Sequence, residues 1–401
     1  MVKQWVNPLF SPVTFACVTA RNRVVMAPMV TNFASPDDEV TDRQVNYYAE
    51  RARGGAGTIV VECSPVRPEV RISSRQIGSC DDRFIPGLFR LASAIKSEGT
   101  IAILQLVHGG PKVWPAPGRQ GESASPVSIR VGETPRQLSA GELRQIRRDF
   151  VAAAFRAQQA GFDGVELHAA HLYLLSAFLS PFTNKRTDEF GGNITHRTRL
   201  IQEIIGEIKT ELGTDWPVWV RINACEALEP GLSIEEGREV AEILVRAGAD
   251  AIHASAYTLP INKKITGIVN IRVGAIPVKN TPPGPFLEYA AALQQKVDVP
   301  VIAVGKLDDP LLAASAIQDG KCGMIALARQ LICDPTWVSK VEQGRTEEII
   351  HCNYCNTCHT AQQRGEDLRC AKNLNLFGEP VYKDPFKTSK TRSSSNYTQR
   401  H

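Results

Sequence analysis

The feature that most constrains this chain is an alternation. Eight short runs rich in β-branched and other apolar residues, Arg23–Met29, Gly57–Cys63, Ile101–Val107, Asp163–His168, Pro217–Asn223, Asp250–Ala254, Pro300–Val304 and Gly323–Ala328, are separated by longer amphipathic stretches. Near-continuous apolar runs are the strands of a parallel sheet covered on both faces, because neither face has to meet water. The stretches between them read as helices. Ala140–Ala160 places Phe150, Ala154 and Ala157 on one stripe, and Ile234–Ala247 follows Ser233, with Glu236 at the capping-box position. Strand and helix repeated eight times specify an α/β fold, the (β/α)8 TIM barrel. An open, doubly wound dinucleotide-binding sheet would carry G-x-G-x-x-G after its first strand. Neither that run nor G-x-x-x-x-G-K-[ST] is present.

Over 401 residues, 43% hydrophobic and 22% charged side chains allow a large core and exclude the composition of disordered chains. The net charge of +4, with both signs interspersed, gives no broad basic face, so nucleic acid is not an expected partner. The opening MVKQWVNPLF has no apolar signal region. No stretch approaches the roughly 18 uninterrupted apolar residues of a membrane span. A cytoplasmic protein without membrane association is expected. Residues 1–345 read as the barrel, 346–382 as a C-terminal cysteine-rich extension packed on it, and 383–401, polar and nearly devoid of aliphatics, as a disordered tail.

Of ten cysteines, Cys17, Cys63, Cys80, Cys225, Cys322 and Cys333 are scattered, while Cys352, Cys355, Cys358 and Cys370 crowd into C-x2-C-x2-C-x11-C. Such clustering argues for a metal site in a reducing compartment rather than a disulfide framework. Four thiolates suffice for a [4Fe–4S] cluster or for zinc, and a segment without metal is the third reading.

In a barrel, chemistry gathers where the strands end. The fourth run ends in His168-Ala-Ala-His171-Leu-Tyr173, two imidazoles and a phenol that can hydrogen-bond an oxygen and supply a proton. The Glu of H-E-x-x-H is absent, which disfavours zinc there.

The strings VVMAPMVTNFAS, ILQLVHGG, AGFDGVELHAAHLYLLSAFLSPFTNKRTDEFGGN, VRI and ALARQLICDP, in that order along the chain, resemble the Old Yellow Enzyme family of flavin-dependent ene-reductases, a resemblance that covers about residues 7–345. MAPMVTNFAS and the cysteine segment are similar to its 2-enoate and 2,4-dienoyl-CoA reductase branch. The resemblance implies FMN and NAD(P)H and, in that branch, an iron–sulfur cluster and a further C-terminal nucleotide-binding region. It places the backbone of Pro28, Met29 and Val30 against the flavin edge and Cys63 against the ring. It also assigns the Gln105 amide to the pyrimidine edge. Arg221 lies inside the apolar run PVWVRIN, where an unpaired charge would cost several kcal/mol. The resemblance supplies the reduced flavin as its anionic partner. Gly305 and Lys306 after the seventh strand, with Ala328 and Arg329 after the eighth, fall where barrels often hold phosphate.

Chemically, the resemblance implies hydride transfer through the flavin to an alkene conjugated to a carbonyl, a small-molecule substrate. His168 and His171 would bind the carbonyl oxygen and Tyr173 would protonate the α-carbon. Oxidative amine dehydrogenation or N-demethylation on the same scaffold is the alternative, and a non-catalytic ligand-binding or metal-sensing barrel is a third. Departures are visible. Val30 stands where relatives often have Thr or Cys, and HGGPK replaces H-A-G-R. His253-Ala-Ser-Ala-Tyr257 shows no clear counterpart of a second acid, leaving Tyr257 as a candidate for the pocket wall. Two residues, not three, separate the second and third cysteines of the cluster. The stretch after them is too short for a second flavin domain, so either a separate electron-donor protein or direct nicotinamide reduction is expected, and a homo-oligomer is compatible with both.

Overall fold

A computed structural model describes residues 5–116, 118–130, 132–257 and 276–377. The eight expected strands are all present, as β1 (Val24–Met26), β2 (Thr58–Pro65), β3 (Ile101–Val107), β4 (Gly164–Ala169), β5 (Val218–Glu226), β6 (Ala251–Tyr257), β7 (Val301–Val304) and β8 (Met324–Leu327). All pair in parallel in chain order, and β8 pairs with β1, so the sheet closes into a barrel. The helices between them include α1 (Asp42–Arg53), α2 (Ile85–Lys96), α3 (Ala140–Gln159), α4 (Leu174–Leu179), α5 (Ile194–Leu212) and α6 (Ile234–Arg246). They continue with α7 (Leu287–Gln294) and α8 (Pro310–Gln318), so the (β/α)8 reading is correct.

Local chemistry explains the boundaries. β1 stops at Met26 rather than at Met29. Ala27 N–H still donates to Leu327 O at 2.9 Å, but Pro28 has no N–H to continue the ladder. At the other extreme β5 and β6 outrun the sequence reading, to Glu226 and Tyr257, with a register shift between Ser255 and Ala256. Ser233 and Glu236 form the expected reciprocal cap of α6, and Ser139 with Glu142 does the same for α3.

Apolar surface is buried in two shells. Inside the barrel, Val25, Val60, Ile103, Trp219, Ile302 and Met324 form one cluster. A hairpin of Val13–Phe15 and Val18–Ala20 joins it from the N-terminal end, with Phe15 edge-on to Trp219 at 4.8 Å between centroids. Outside, Ile59, Leu104 and Leu167 pack with Leu91, Ile95 and Phe150 of α2 and α3. With the floor filled by side chains, polar groups are left to the C-terminal mouth.

The cysteine-rich segment lies against the loop after β1. Leu368 N–H donates to Thr31 O at 2.8 Å, Asn32 Nδ2 to Glu366 O at 2.8 Å, and Ser74 Oγ to Gly365 O at 2.7 Å. Residues 378–401, which hold the expected tail, fall outside the described residues. No helix among the described residues is long and apolar enough to cross a membrane.

Candidate active site

Strand register assembles the polar layer at the mouth. Gln105 of β3 stands beside Glu166 of β4, and His168 of β4 beside Arg221 of β5, which in turn stands beside His253 of β6. Glu166 is fully buried and commits both oxygens. Oε1 accepts from Gln105 Nε2 at 2.6 Å, and Oε2 lies 2.8 Å from His253 Nδ1. Arg221 is 8% exposed, and its Nε is buried without a hydrogen-bond partner among the described residues. Burial lowers its pKa, against the pull of Glu166. A buried guanidinium with an orphaned N–H beside an amide fixed by a carboxylate is a site built for an anionic group that also offers a hydrogen-bonding edge.

The turn after β4 positions the catalytic candidates. His171 and Leu172 take φ of +62° and +55°, a left-handed pair of non-glycine residues that costs about 1–3 kcal/mol each. Three contacts hold it: His171 N–H to Asn223 Oδ1 at 3.0 Å, Leu172 N–H to Ser176 Oγ at 3.1 Å, and Lys112 Nζ to His171 O at 2.8 Å. The His168 ring lies 5.1 Å from that of His171 and 4.8 Å from that of Tyr173. Ala170 N–H donates to His168 Nδ1 at 3.4 Å, which assigns the ring proton to Nε2, and His171 Nε2 lies 2.8 Å from Ser255 Oγ. Burial, with the charge of Arg221 next, pushes both imidazoles well below their usual range, so both are neutral at pH 7. Burial pushes the Tyr173 phenol upward, so it keeps its proton.

Val30, Cys63, Ile72 and Val107 form a small apolar cluster against which Tyr173 packs. The segment carrying Pro28, Met29 and Val30 is anchored one residue later. Thr31 donates to Glu62 from its N–H at 2.6 Å and from its Oγ1 at 2.7 Å, and Gln44 Nε2 adds a bond of 2.5 Å. Burial nonetheless raises the Glu62 carboxyl to about 7.

Gly305 and Lys306 follow β7 in left-handed conformations, φ +109° and +48°. A Cβ at Gly305 would stand 2.9 Å from the Phe286 ring. Lys306 Nζ donates to Thr281 O at 2.5 Å and Lys279 O at 3.0 Å; Arg329, next to Ala328, donates to Pro277 O at 2.7 Å and Asn356 Oδ1 at 2.6 Å. Both cations also lie over the Tyr354 ring, at 4.5 and 4.7 Å. Behind Arg329, Cys352, Cys355, Cys358 and Cys370 line one cavity, joined by Cys333, which the sequence left among the scattered cysteines. No three His, Cys, Asp or Glu side chains among the described residues converge as metal ligands. The thiols are gathered without forming a ligand set among the described residues.

The fold thus brings Val30, Cys63, Gln105, Arg221, His168, His171 and Tyr173 to one end of the barrel and sets Lys306 and Arg329 around Tyr354 as a second group. Sequence reasoning missed Glu166, Asn223, Ser255 and Lys112. Glu166 carried a usable signal, a carboxylate inside the apolar run DGVELH, the same anomaly that drew attention to Arg221. Asn223 and Ser255 carried none, since polar residues near strand ends are ordinary.

A barrel whose mouth holds a guanidinium with an Nε unpartnered among the described residues, an amide-bearing strand end and a neutral His–His–Tyr group fits one class, the flavin-dependent oxidoreductase barrels. This chain belongs to the NADH:flavin oxidoreductase / NADH oxidase family, whose sequence model matches residues 8–348. That family is flavin-dependent and NAD(P)H-linked, and Old Yellow Enzyme-like. The chain is 37% identical over 382 residues to an NADH oxidase of Thermoanaerobacter brockii, covering 94% of this chain and 57% of that protein. It is 33% identical over 345 residues to an NADPH dehydrogenase of Bacillus subtilis, covering 85% of this chain and 96% of that one. Among solved structures, a 2-naphthoyl-CoA reductase in complex with 2-naphthoyl-CoA superposes with a TM-score of 0.87 at 27% identity, over 94% of this chain and 58% of that one. Histamine dehydrogenase from Rhizobium sp. 4-9 follows with 0.82 at 27%, over 93% and 53%. The chain spans about half the length of the first two curated relatives, 57% and 50%.

Proposed function

We propose that the chain is an FMN-dependent ene-reductase that uses NAD(P)H to saturate the alkene of an α,β-unsaturated carbonyl compound. The observation that carries this reading is the His168–His171–Tyr173 group, two neutral imidazoles and a protonated phenol within 6.5 Å of one another by ring centroids. Gln105 and Arg221 would hold the flavin's polar edge, with the backbone of Pro28–Val30 and Cys63 beside it, and Gly305, Lys306, Ala328 and Arg329 near its phosphate. When bound, FMN supplies hydride transfer between the nicotinamide and the substrate. His168 and His171 donate N–H bonds to the carbonyl oxygen, where negative charge grows in the transition state, and being neutral they do so without protonating it. Tyr173 gives its proton to the α-carbon, a general-acid step worth about 10²–10⁴ in rate. Val30, Ile72 and Val107 pack against the Tyr173 ring.

The histamine dehydrogenase likeness supports a second reading, oxidation of an amine. A cationic amine would be repelled there, because the charged side chains acting on Tyr173 and its imidazole neighbours include Arg221, Arg130 and Lys112. Anaerobic half-reactions test the proposal. NAD(P)H is expected to bleach the flavin and an enone to restore it. Bleaching by amines with no reoxidation by enones would transfer the chain to the second reading.

A further inference from the structure

The HGGPK run, which the proposed chemistry leaves unused, places a lysine inside the site. Lys112 closes a turn of 3-10 helix after β3, and its half-buried side chain runs across the mouth toward β6. Its Nζ donates to Tyr257 Oη at 2.5 Å and to His171 O at 2.8 Å, and it lies over two rings, 4.3 Å from the centroid of Tyr257 and 5.6 Å from that of Tyr173. All of these partners are neutral. Among the described residues Lys112 has no carboxylate within ion-pair distance.

The groups facing this ammonium give it no counter-charge. His168, His171 and Tyr173 come from the end of β4 and the turn after it, Tyr257 from the end of β6, and Arg130 acts from the loop before α3. Glu226, at the end of β5, stands beside Tyr257 in the sheet, but it is enclosed by its own donors: Ser180 Oγ at 2.5 Å, Asn223 Nδ2 at 3.0 Å and Leu232 N–H at 3.2 Å. A cation held in a partly desolvated site by neutral partners is a binding site awaiting an anion.

We propose that Lys112, with Tyr257, recognises a negatively charged oxygen group carried by the substrate in addition to its reacting carbonyl, so that the physiological substrate is an unsaturated carbonyl compound bearing its own carboxylate. This rests on the ene-reductase reading, which assigns the reacting carbonyl to His168 and His171. The contact with His171 O at 2.8 Å and the 5.6 Å to the Tyr173 ring keep the ammonium next to the catalytic group, so the anion belongs a few bonds from the carbonyl. That spacing suits a carboxylate on the same carbon skeleton and not the distant phosphates of a nucleotide-like carrier. Burial, aided by Arg130, also draws the ammonium down to about 7, so anion recognition weakens as the pH rises through neutrality.

The test uses the flavin-loaded full chain with two substrates of one skeleton, β-acetylacrylate and its methyl ester, and with cyclohexenone as a neutral reference. Wild type is expected to favour the carboxylate. In Lys112→Met the carboxylate-to-ester ratio of kcat/KM should fall about 10- to 100-fold, as expected for loss of a charged hydrogen bond, mainly through KM. Lys112→Arg should keep most of the preference. In wild type, KM for the carboxylate should climb above pH 7 while that for the ester stays flat. This arm needs no variant to fold. A ratio changed less than twofold in Lys112→Met, or parallel pH profiles for acid and ester, overturns the proposal while leaving the ene-reductase reading intact. If cyclohexenone and both acetylacrylates fail to reoxidise a flavin that NAD(P)H reduces, the ene-reductase reading itself falls and the Lys112 assignment falls with it.

Discussion

Replacing Arg221 with methionine separates binding from stability in one experiment. The guanidinium is 8% exposed, its Nε has no partner among the described residues, and its lateral neighbours in the sheet, His168 and His253, are both kept neutral by burial. The nearby carboxylate, Glu166, spends its hydrogen bonds on Gln105 and His253. In the flavin-free protein Arg221 is therefore a desolvated charge with weak compensation, and methionine, of similar length, removes that penalty without opening a large cavity. In the flavin-bound protein the same substitution deletes at least one charge-assisted hydrogen bond, worth about 1.5–3 kcal/mol, or roughly 10- to 150-fold in flavin Kd. Titrating the apoprotein with FMN, followed by quenching of flavin fluorescence, gives the Kd. Thermal melting with and without FMN gives the two stabilities. The expected pattern is an apoprotein Tm equal to or above wild type together with a smaller stabilisation by FMN. Wild-type flavin affinity would refute the cofactor role. An apoprotein destabilised by several kcal/mol would show instead that Arg221 is a structural partner of Glu166.

Three further outcomes are expected. Tyr173→Phe should slow reoxidation of the reduced flavin by an enone about 10²–10⁴-fold while flavin reduction by NAD(P)H stays near wild type, and equal losses in both half-reactions would remove Tyr173 from the acid role. Burial raises Glu62 from 4.5 to about 7, so its contribution to stability is complete below pH 4.5 and is lost as the pH climbs through 7; this amounts to on the order of 3 kcal/mol. The melting temperature should therefore fall between pH 5 and 8 with a slope that flattens in Glu62→Gln, and an unchanged slope would contradict the assignment. Ser233→Ala removes the α6 cap and should cost about 1 kcal/mol in denaturant unfolding, with Ser233→Thr largely neutral.

The legible and illegible parts of this protein divide along physical lines. Arg221 was readable because a charge within PVWVRIN violates the apolar strand pattern, and Tyr173 because it shares a six-residue segment with two imidazoles. Lys112 showed only as a departure from a familiar string. What makes it part of the site is contact with Tyr257, 145 positions away. Cys333 is a similar case. In sequence it is one of six scattered thiols, and only the fold of the segment after α8 lays it beside Cys352, Cys355, Cys358 and Cys370.

By itself the sequence determined the barrel, its helix caps and the residues offered at the strand ends, since these follow from side-chain periodicity within about ten neighbours and from local hydrogen bonds. The tertiary structure alone decided which of those residues meet. It set Gln105 and His253 on opposite oxygens of Glu166, left Arg221 Nε without a hydrogen-bond partner among the described residues, bent His171 into a left-handed turn and brought the Lys112 ammonium, bonded to neutral groups, over Tyr173. Those relations depend on the register of neighbouring strands around a closed sheet, a long-range quantity that no local pattern encodes.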